Sequence, residues 1–322
     1  MKKTGLFFAV LAVVPIHGFA ADVNALLSEW SVVTSGDLQL VNDIQGSAYV
    51  GGNVTVPNSF NVATGSSSLP ASAVSLAAAG NIENGGNLQV NGGSVVAGGA
   101  ISRTINMNSG GTVRQNDPAG LPASPVAAIA AASQYWSTLA ANSSTSVANN
   151  GQLDFNCQGG SSLAVFNVSA SQMFDFGYQG FALVPGSATS DVIININAAS
   201  LNGNVNWGTG GFFSQFNTPY WDGRVLFNLY NATSVTLSGL IGGYVVAPDA
   251  NVVEQNNIDG GVMAKNLTVD SEVDLPNGST SPWSGDLPNV PVPEAGAWSW
   301  AASLGAAVLA ALSLGRQPRW KN

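Results

Sequence analysis

Leu240-Ile241-Gly242-Gly243-Tyr244-Val245-Val246 and, beginning 18 residues later, Ile258-Asp259-Gly260-Gly261-Val262-Met263-Ala264 share the pattern apolar-x-Gly-x-apolar-x-apolar. In a strand, residues i, i+2 and i+4 lie on one face, so each copy turns its apolar residues the same way while glycine lets the backbone turn or pack closely. Two further copies, Ile44-Gln45-Gly46-Ser47-Ala48-Tyr49-Val50 and Leu201-Asn202-Gly203-Asn204-Val205-Asn206-Trp207, stand earlier in the chain. Such a spacing suits one coil of a β-solenoid, in which stacked coils bury a continuous apolar row. The copies are degenerate and unevenly spaced. The expected fold is therefore mainly β, an irregular β-solenoid, with Gly46, Gly203, Gly242 and Gly260 at equivalent turns or close-packed positions; a β-sandwich is the alternative.

Outward from these copies, Gly-Gly pairs punctuate the chain from Gly51 to Gly261, and short alternating stretches such as Asn87–Asn91, Asp191–Asn197 and Thr233–Leu237 run between them. Period-two alternation bounded by Gly and Asn reads as short strands and tight turns. One flanking α-helix is expected over about 124–142. Ser124 supplies an N-cap, Pro125 the first helical position, and Val126, Ile129, Ser133, Trp136 and Ala140 recur at spacings of three and four. Its narrow face of small residues with one tryptophan suits packing on a flat β surface.

Charge and residue counts narrow the chemistry. Between Asp22 and Gly285 there are 16 acidic residues against four basic ones, Arg103, Arg114, Arg224 and Lys265, a net charge of −12. Such a body repels phosphate backbones, so nucleic acid is not an expected partner. The one histidine, His17, precedes this body, which removes Ser-His-Asp and Cys-His catalysis and every histidine metal site from it. Cys157 has no partner for an intramolecular disulfide and reads as a buried free thiol. No cofactor is implied.

The two ends read as sorting segments. Lys2 and Lys3 precede an apolar run from Leu6 to Ile16, and small residues up to Ala20 predict cleavage between Ala20 and Ala21 by signal peptidase. Residues 286–296 form a Pro-rich spacer after a β domain over 21–285, and 297–322 form an apolar span with a basic tail, Arg316, Arg319 and Lys321. The tail favours the cytoplasmic side of an inner membrane.

Val292-Pro293-Glu294, the apolar span and the basic tail together resemble a PEP-CTERM sorting signal, although Ala295 stands where that signal has a second proline. The resemblance implies processing by an exosortase-type enzyme in a Gram-negative bacterium; a permanent, uncleaved anchor is the alternative. The stretch from Ser35 to Asn53, with Gly46 and Val50-Gly51-Gly52-Asn53, resembles the opening of the choice-of-anchor A domain. Val225–Asn228, Ala232–Thr236, Gly243–Ala250 and Ile258–Ala264 resemble its closing half. This resemblance implies an exported, adhesin-like surface protein, and carries no catalytic residues. The closing motifs are also similar to ice-binding-like folds, without the regular Thr-x-Thr rows that would support ice binding.

Two acid-bearing places remain. Asp270, Glu272 and Asp274 would share one face of a strand, either as a calcium site or as a solvated acidic face. Phe216, Tyr220, Trp221, Asp222 and Arg224 would form either a sugar-stacking surface or a cap on the apolar edge of the fold. The expected function is a non-catalytic surface or matrix protein that binds extracellular polysaccharide or a matrix protein. A secreted solenoid enzyme acting on polysaccharide is the alternative.

Overall fold

The computed structural model describes residues 21–65, 69–83, 85–208, 211–214, 216 and 218–291. The signal residues through Ala20, the sorting residues Val292, Pro293, Glu294, Arg316, Arg319 and Lys321, and the apolar span lie outside them. Among the described residues no helix is long and apolar enough to cross a membrane. Asp22–Asn289 forms one compact unit.

The unit is mainly β, built on a large parallel sheet. In spatial order its main path runs Val113–Arg114, Ser94–Ala97, Val74–Ala78, Ala48–Val50, Val32–Thr34, Ile258–Val269, Ile241–Glu254, Val225–Tyr230, Asp191–Asn197 and Leu163–Ser169. The chain therefore starts in the middle. It adds strands outward to Val113–Arg114, crosses through a helix, restarts at the opposite edge with Leu163–Ser169 and returns until Val262 pairs with Val32. Among the described residues one pairing is antiparallel, that of Ser144–Val147 with Leu153–Asn156. A sandwich of antiparallel hairpins is a different arrangement.

The two halves fill their interiors differently. Val32, Leu38, Ile44, Val50, Val54, Leu76, Leu88 and Val95 pack the first half, where equivalent turn residues recur at 16, 28 and 19 positions. The returning half recurs at 28, 33, 18 and 17 positions and uses aromatics. Phe155 lies 5.2 Å from Phe166, and Trp207 lies 5.1 Å from Phe227.

The register corrects the alignment of the repeat. Ile241 pairs with Ile258 and Gly243 with Gly260, so Gly242 stands opposite Asp259, one residue out of step with the 18-residue spacing. Gly243 and Gly260 have φ of 142° and 151°, and a Cβ on Gly260 would strike the Gly243 carbonyl. Glycine against glycine sets this register, because only there can two backbones in that conformation approach so closely. A Cβ at Gly46 would strike Ser31, one at Gly203 would meet Thr233, and one at Gly242 would strike Asp222.

The single helix is also corrected. There are four among the described residues: α1 (Val23–Glu29), α2 (Val126–Ser137), α3 (Ala170–Phe174) and α4 (Pro219–Asp222). The expected helix is α2, and it stops short of 142. The amides of Thr138 and Leu139 donate to carbonyls only three residues back, which tightens and ends the last turn, and Ala140 is exposed. α1 starts where Asp22 Oδ1 accepts from the amides of Asn24 and Ala25.

Beneath α2 runs a buried polar ladder. Asn167, Asn195 and Asn228 occupy paired positions on three adjacent strands. Asn195 Nδ2 donates to Asn167 Oδ1 and to the Trp136 carbonyl; Asn228 Nδ2 donates to Asn195 Oδ1 and to the Ser133 carbonyl. Ser133 Oγ donates to Asn228 Oδ1 at 2.6 Å. Asn195 and Asn228 are fully buried, so every lost bond would strand a polar group away from water. Asn228→Ala is expected to cost about 2–4 kcal/mol in urea unfolding, against less than about 0.5 kcal/mol for exposed Asn204→Ala.

The compact unit also reaches beyond residue 285. Trp283 and Leu287 are buried, Leu287 N donates to Asn24 Oδ1 at 2.8 Å, and Asn24 Nδ2 returns to the Leu287 carbonyl. Val23 N donates to Asn289 Oδ1, and Trp136 Nε1 to the Pro288 carbonyl. The first part of the Pro-rich stretch is thus a strap over α1 and α2. A body ending at Gly285 is expected to melt about 10 °C below one ending at Pro291, because it loses a buried leucine and four side-chain-to-backbone bonds. Circular dichroism melting checks this.

Candidate functional site

α4 sets the acidic end of the site. Pro219 occupies its first turn; Trp221 is buried, Tyr220 is 53% exposed, and Asp222 is buried against Gly242. Gly242 stands opposite Asp259, and Asp259 opposite Asp274. Neighbouring strands lie about 4.8 Å apart, so the three carboxylates make a row across successive strands. Burial, then the charge of Asp259, pushes Asp222 up to about 7. Asp259 is raised by burial. Asp274 is raised by burial and by Asp259 and Asp43, against the hydrogen bond from Asn257. A polar cavity of about 250 Å³ opens beside the row, lined by Gln45, Asp259, Asp274 and the Leu275–Ser279 turn.

The sequence grouping changes in three respects. Asp270, Glu272 and Asp274 do not share a strand face, because the strand is only Val273–Asp274 and Asp270 lies exposed in the preceding bend. Ser271 makes that bend, donating its amide to Glu254 Oε2 and its hydroxyl to Asn257. Glu272 instead lies with Asp274, whose charge raises it after burial does. Arg224 does not pair with Asp222; it reaches Asp191 at 3.4 Å and lies 4.8 Å over the Tyr220 ring. Phe216 and Trp221 are both buried, so of this loop only Tyr220 offers an exposed aromatic. Among the described residues no group of three or more His, Cys, Asp or Glu is arranged to hold a metal ion. Cys157 is half-buried, and burial pushes its thiol up.

Two acids escaped the sequence reading. Asp259 stood inside the repeat as its variable position. Glu254 is fully buried with Oε1 unpartnered, and burial, then the charges of Asp270 and Asp274, push it up to about 8. Its signal was the alternation Ala250, Val252, Glu254, which points it inward with the valine.

The cavity presents the Gln45, Asp259 and Asp274 side chains on a parallel framework, while Asp222 and Glu254 stay buried beneath the surface. A mainly β unit of this kind, with a large parallel sheet and few helices, agrees with what its sequence matches. The model of the family described as "Putative Ice-binding-like adhesive domain" matches residues 23–275, and the chain belongs to that family. No curated protein and no solved structure matches it.

The raised acids fix a pH dependence. Folded Glu254 and Asp222 hold protons that the unfolded chain releases near pH 4, so stability is full below about pH 4 for these groups and falls as pH rises towards 8. Melting temperature is expected to decline across that window, and Glu254→Gln, which keeps the neutral form, is expected to flatten the decline. An unchanged slope in differential scanning calorimetry counts against the assignment.

Proposed function

We propose that this chain is an exported, surface-anchored or matrix-associated protein whose body adheres to extracellular polymer and catalyses no reaction. Membership of an adhesive-domain family over residues 23–275 carries the reading. The parallel ladders support an irregular β-solenoid of ice-binding-like form, with α2 along its flank. The resemblance to choice-of-anchor A domains belongs to the same reading, as do the predicted signal-peptidase cut between Ala20 and Ala21 and the PEP-CTERM-like end at Val292-Pro293-Glu294. An exosortase-type enzyme would then release the body from the inner membrane to the surface or matrix of a Gram-negative bacterium.

One observation favours a polysaccharide-cleaving reading. Asp222 is a buried carboxyl beside Asp259, pushed up to about 7 by burial and then by that neighbour's charge, as a general acid requires, although burial raises Asp259 as well. The two readings separate cleanly. The adhesive protein is expected to bind glycans or matrix proteins on an array and to leave polysaccharide length unchanged after prolonged incubation. Falling viscosity that Asp222→Asn abolishes would establish the enzyme instead. For sorting, deletion of 290–322 is expected to release soluble body from cells, whereas replacing Pro293 and Glu294 alone holds it in the membrane. Recovery of surface protein still carrying Trp320 would leave a permanent anchor as the answer.

A further inference from the structure

We propose that Phe176 and Tyr178 form a stacking platform for a neutral polysaccharide, a site separate from the acidic row; the proposal rests on the polymer-binding reading above. The platform is built from α3 outward. Met173 is buried, and the Phe174 ring lies 5.1 Å from Trp207, which fixes the C-terminal end of the helix to the aromatic interior. Gly177 then takes φ of 63°, which brings the aromatics on either side of it together. Tyr178 packs on the core, and the Phe176 ring lies on Tyr178 with centroids 6.0 Å apart and planes 27° apart. Phe176 remains 69% exposed, the most exposed large apolar side chain among the described residues.

A ring pair held flat in water suits a pyranose, whose C–H face meets the electron-rich ring face while its hydroxyls stay hydrated. The exposed Asp175 and Gln179 beside the rings are placed to meet such hydroxyls, and the Gln179 backbone is held where its N–H donates to the Gly151 carbonyl at 3.0 Å.

Magnitudes decide between occupants. Two aromatic side chains bury roughly 300–500 Å² at most, below the roughly 800 Å² that each partner gives to a stable protein interface. A long polymer needs no such area, because many weak contacts along one chain add up. The adjacent charge is Asp175, on a body of net charge −12, which disfavours both anionic glycans and anionic lipid surfaces. Tyr220, the other exposed aromatic among the described residues, is not equivalent, because the Arg224 guanidinium covers its ring.

Affinity electrophoresis of the full chain tests the site, with hydroxyethylcellulose, galactomannan and dextran as neutral gels and alginate as the anionic control. At least one neutral gel is expected to retard the protein. Phe176→Ala is expected to weaken that retardation about tenfold, at unchanged melting temperature. Phe176→Trp is expected to preserve it, and Tyr220→Ala to leave it unaltered. Retardation that Phe176→Ala and Tyr178→Ala leave intact overturns the platform while the polymer-binding reading stands. No retardation in any gel overturns the platform, and the adhesive reading falls with it only if the glycan and matrix-protein array is also blank. Retention by alginate alone, or flotation with phosphatidylglycerol vesicles that Phe176→Ala abolishes, assigns the rings to an anionic partner and overturns the proposal.

Discussion

The pairing of Val32–Thr34 with the middle of Ile258–Val269 is the contact on which the architecture depends. Val32, Val33 and Thr34 meet Val262, Met263 and Ala264 on one side and Ala48, Tyr49 and Val50 on the other. Without it there would be two separate stacks, each with an open parallel edge where the other now lies, and such edges recruit other strands. Around this seam the neighbouring turns are stitched as well. Leu38–Leu40 pairs with the end of the same long strand, and Asp37 N donates to Asn266 Oδ1 at 2.7 Å. The seam joins aliphatic to aromatic packing without a break in the backbone ladder.

A parallel framework needs help wherever its regular bonding stops. At the outer edge formed by Leu163–Ser169, Asn142 imitates a strand: its amide donates to the Val165 carbonyl, and its side chain both accepts from Val165 N and donates to the Leu163 carbonyl. Along the flank, the asparagine ladder hands its last valences to α2. At the turns, the side-chain oxygens of Asp37, Asn53 and Asn81 accept in turn from the backbone amides of Asn53, Asn81 and Ala100. Short amide and carboxylate side chains bond backbone groups readily, which explains why this body is rich in Asn yet poor in charge.

Much of this was legible in the residues. Alternation and Gly-Gly punctuation gave a mainly β fold, and the spacing of Ile129, Ser133 and Trp136 gave α2, because those signals are local; the helix opens one residue later than expected, at Val126, with Pro125 rather than Ser124 at its cap. The register at Gly243 and Gly260 was not legible, since each copy holds two glycines and only the tertiary stack decides which pair meets. α1, α3 and α4 run seven, five and four residues, too short to establish a period. The acidic row was half visible. Asp222 and Asp274 were singled out for different sites, and only the strand order brings Asp259 between them.

The central seam also has a history in time. Asp37 and its partner Asn266 stand 229 residues apart, so one side of Val32–Thr34 must wait for nearly the whole body to be synthesised. At about 5–20 residues per second, that wait lasts on the order of ten seconds or more. Through it the nascent first half holds an unpaired parallel edge, a template for any strand that passes. The final strands thus act as the clasp that closes the fold.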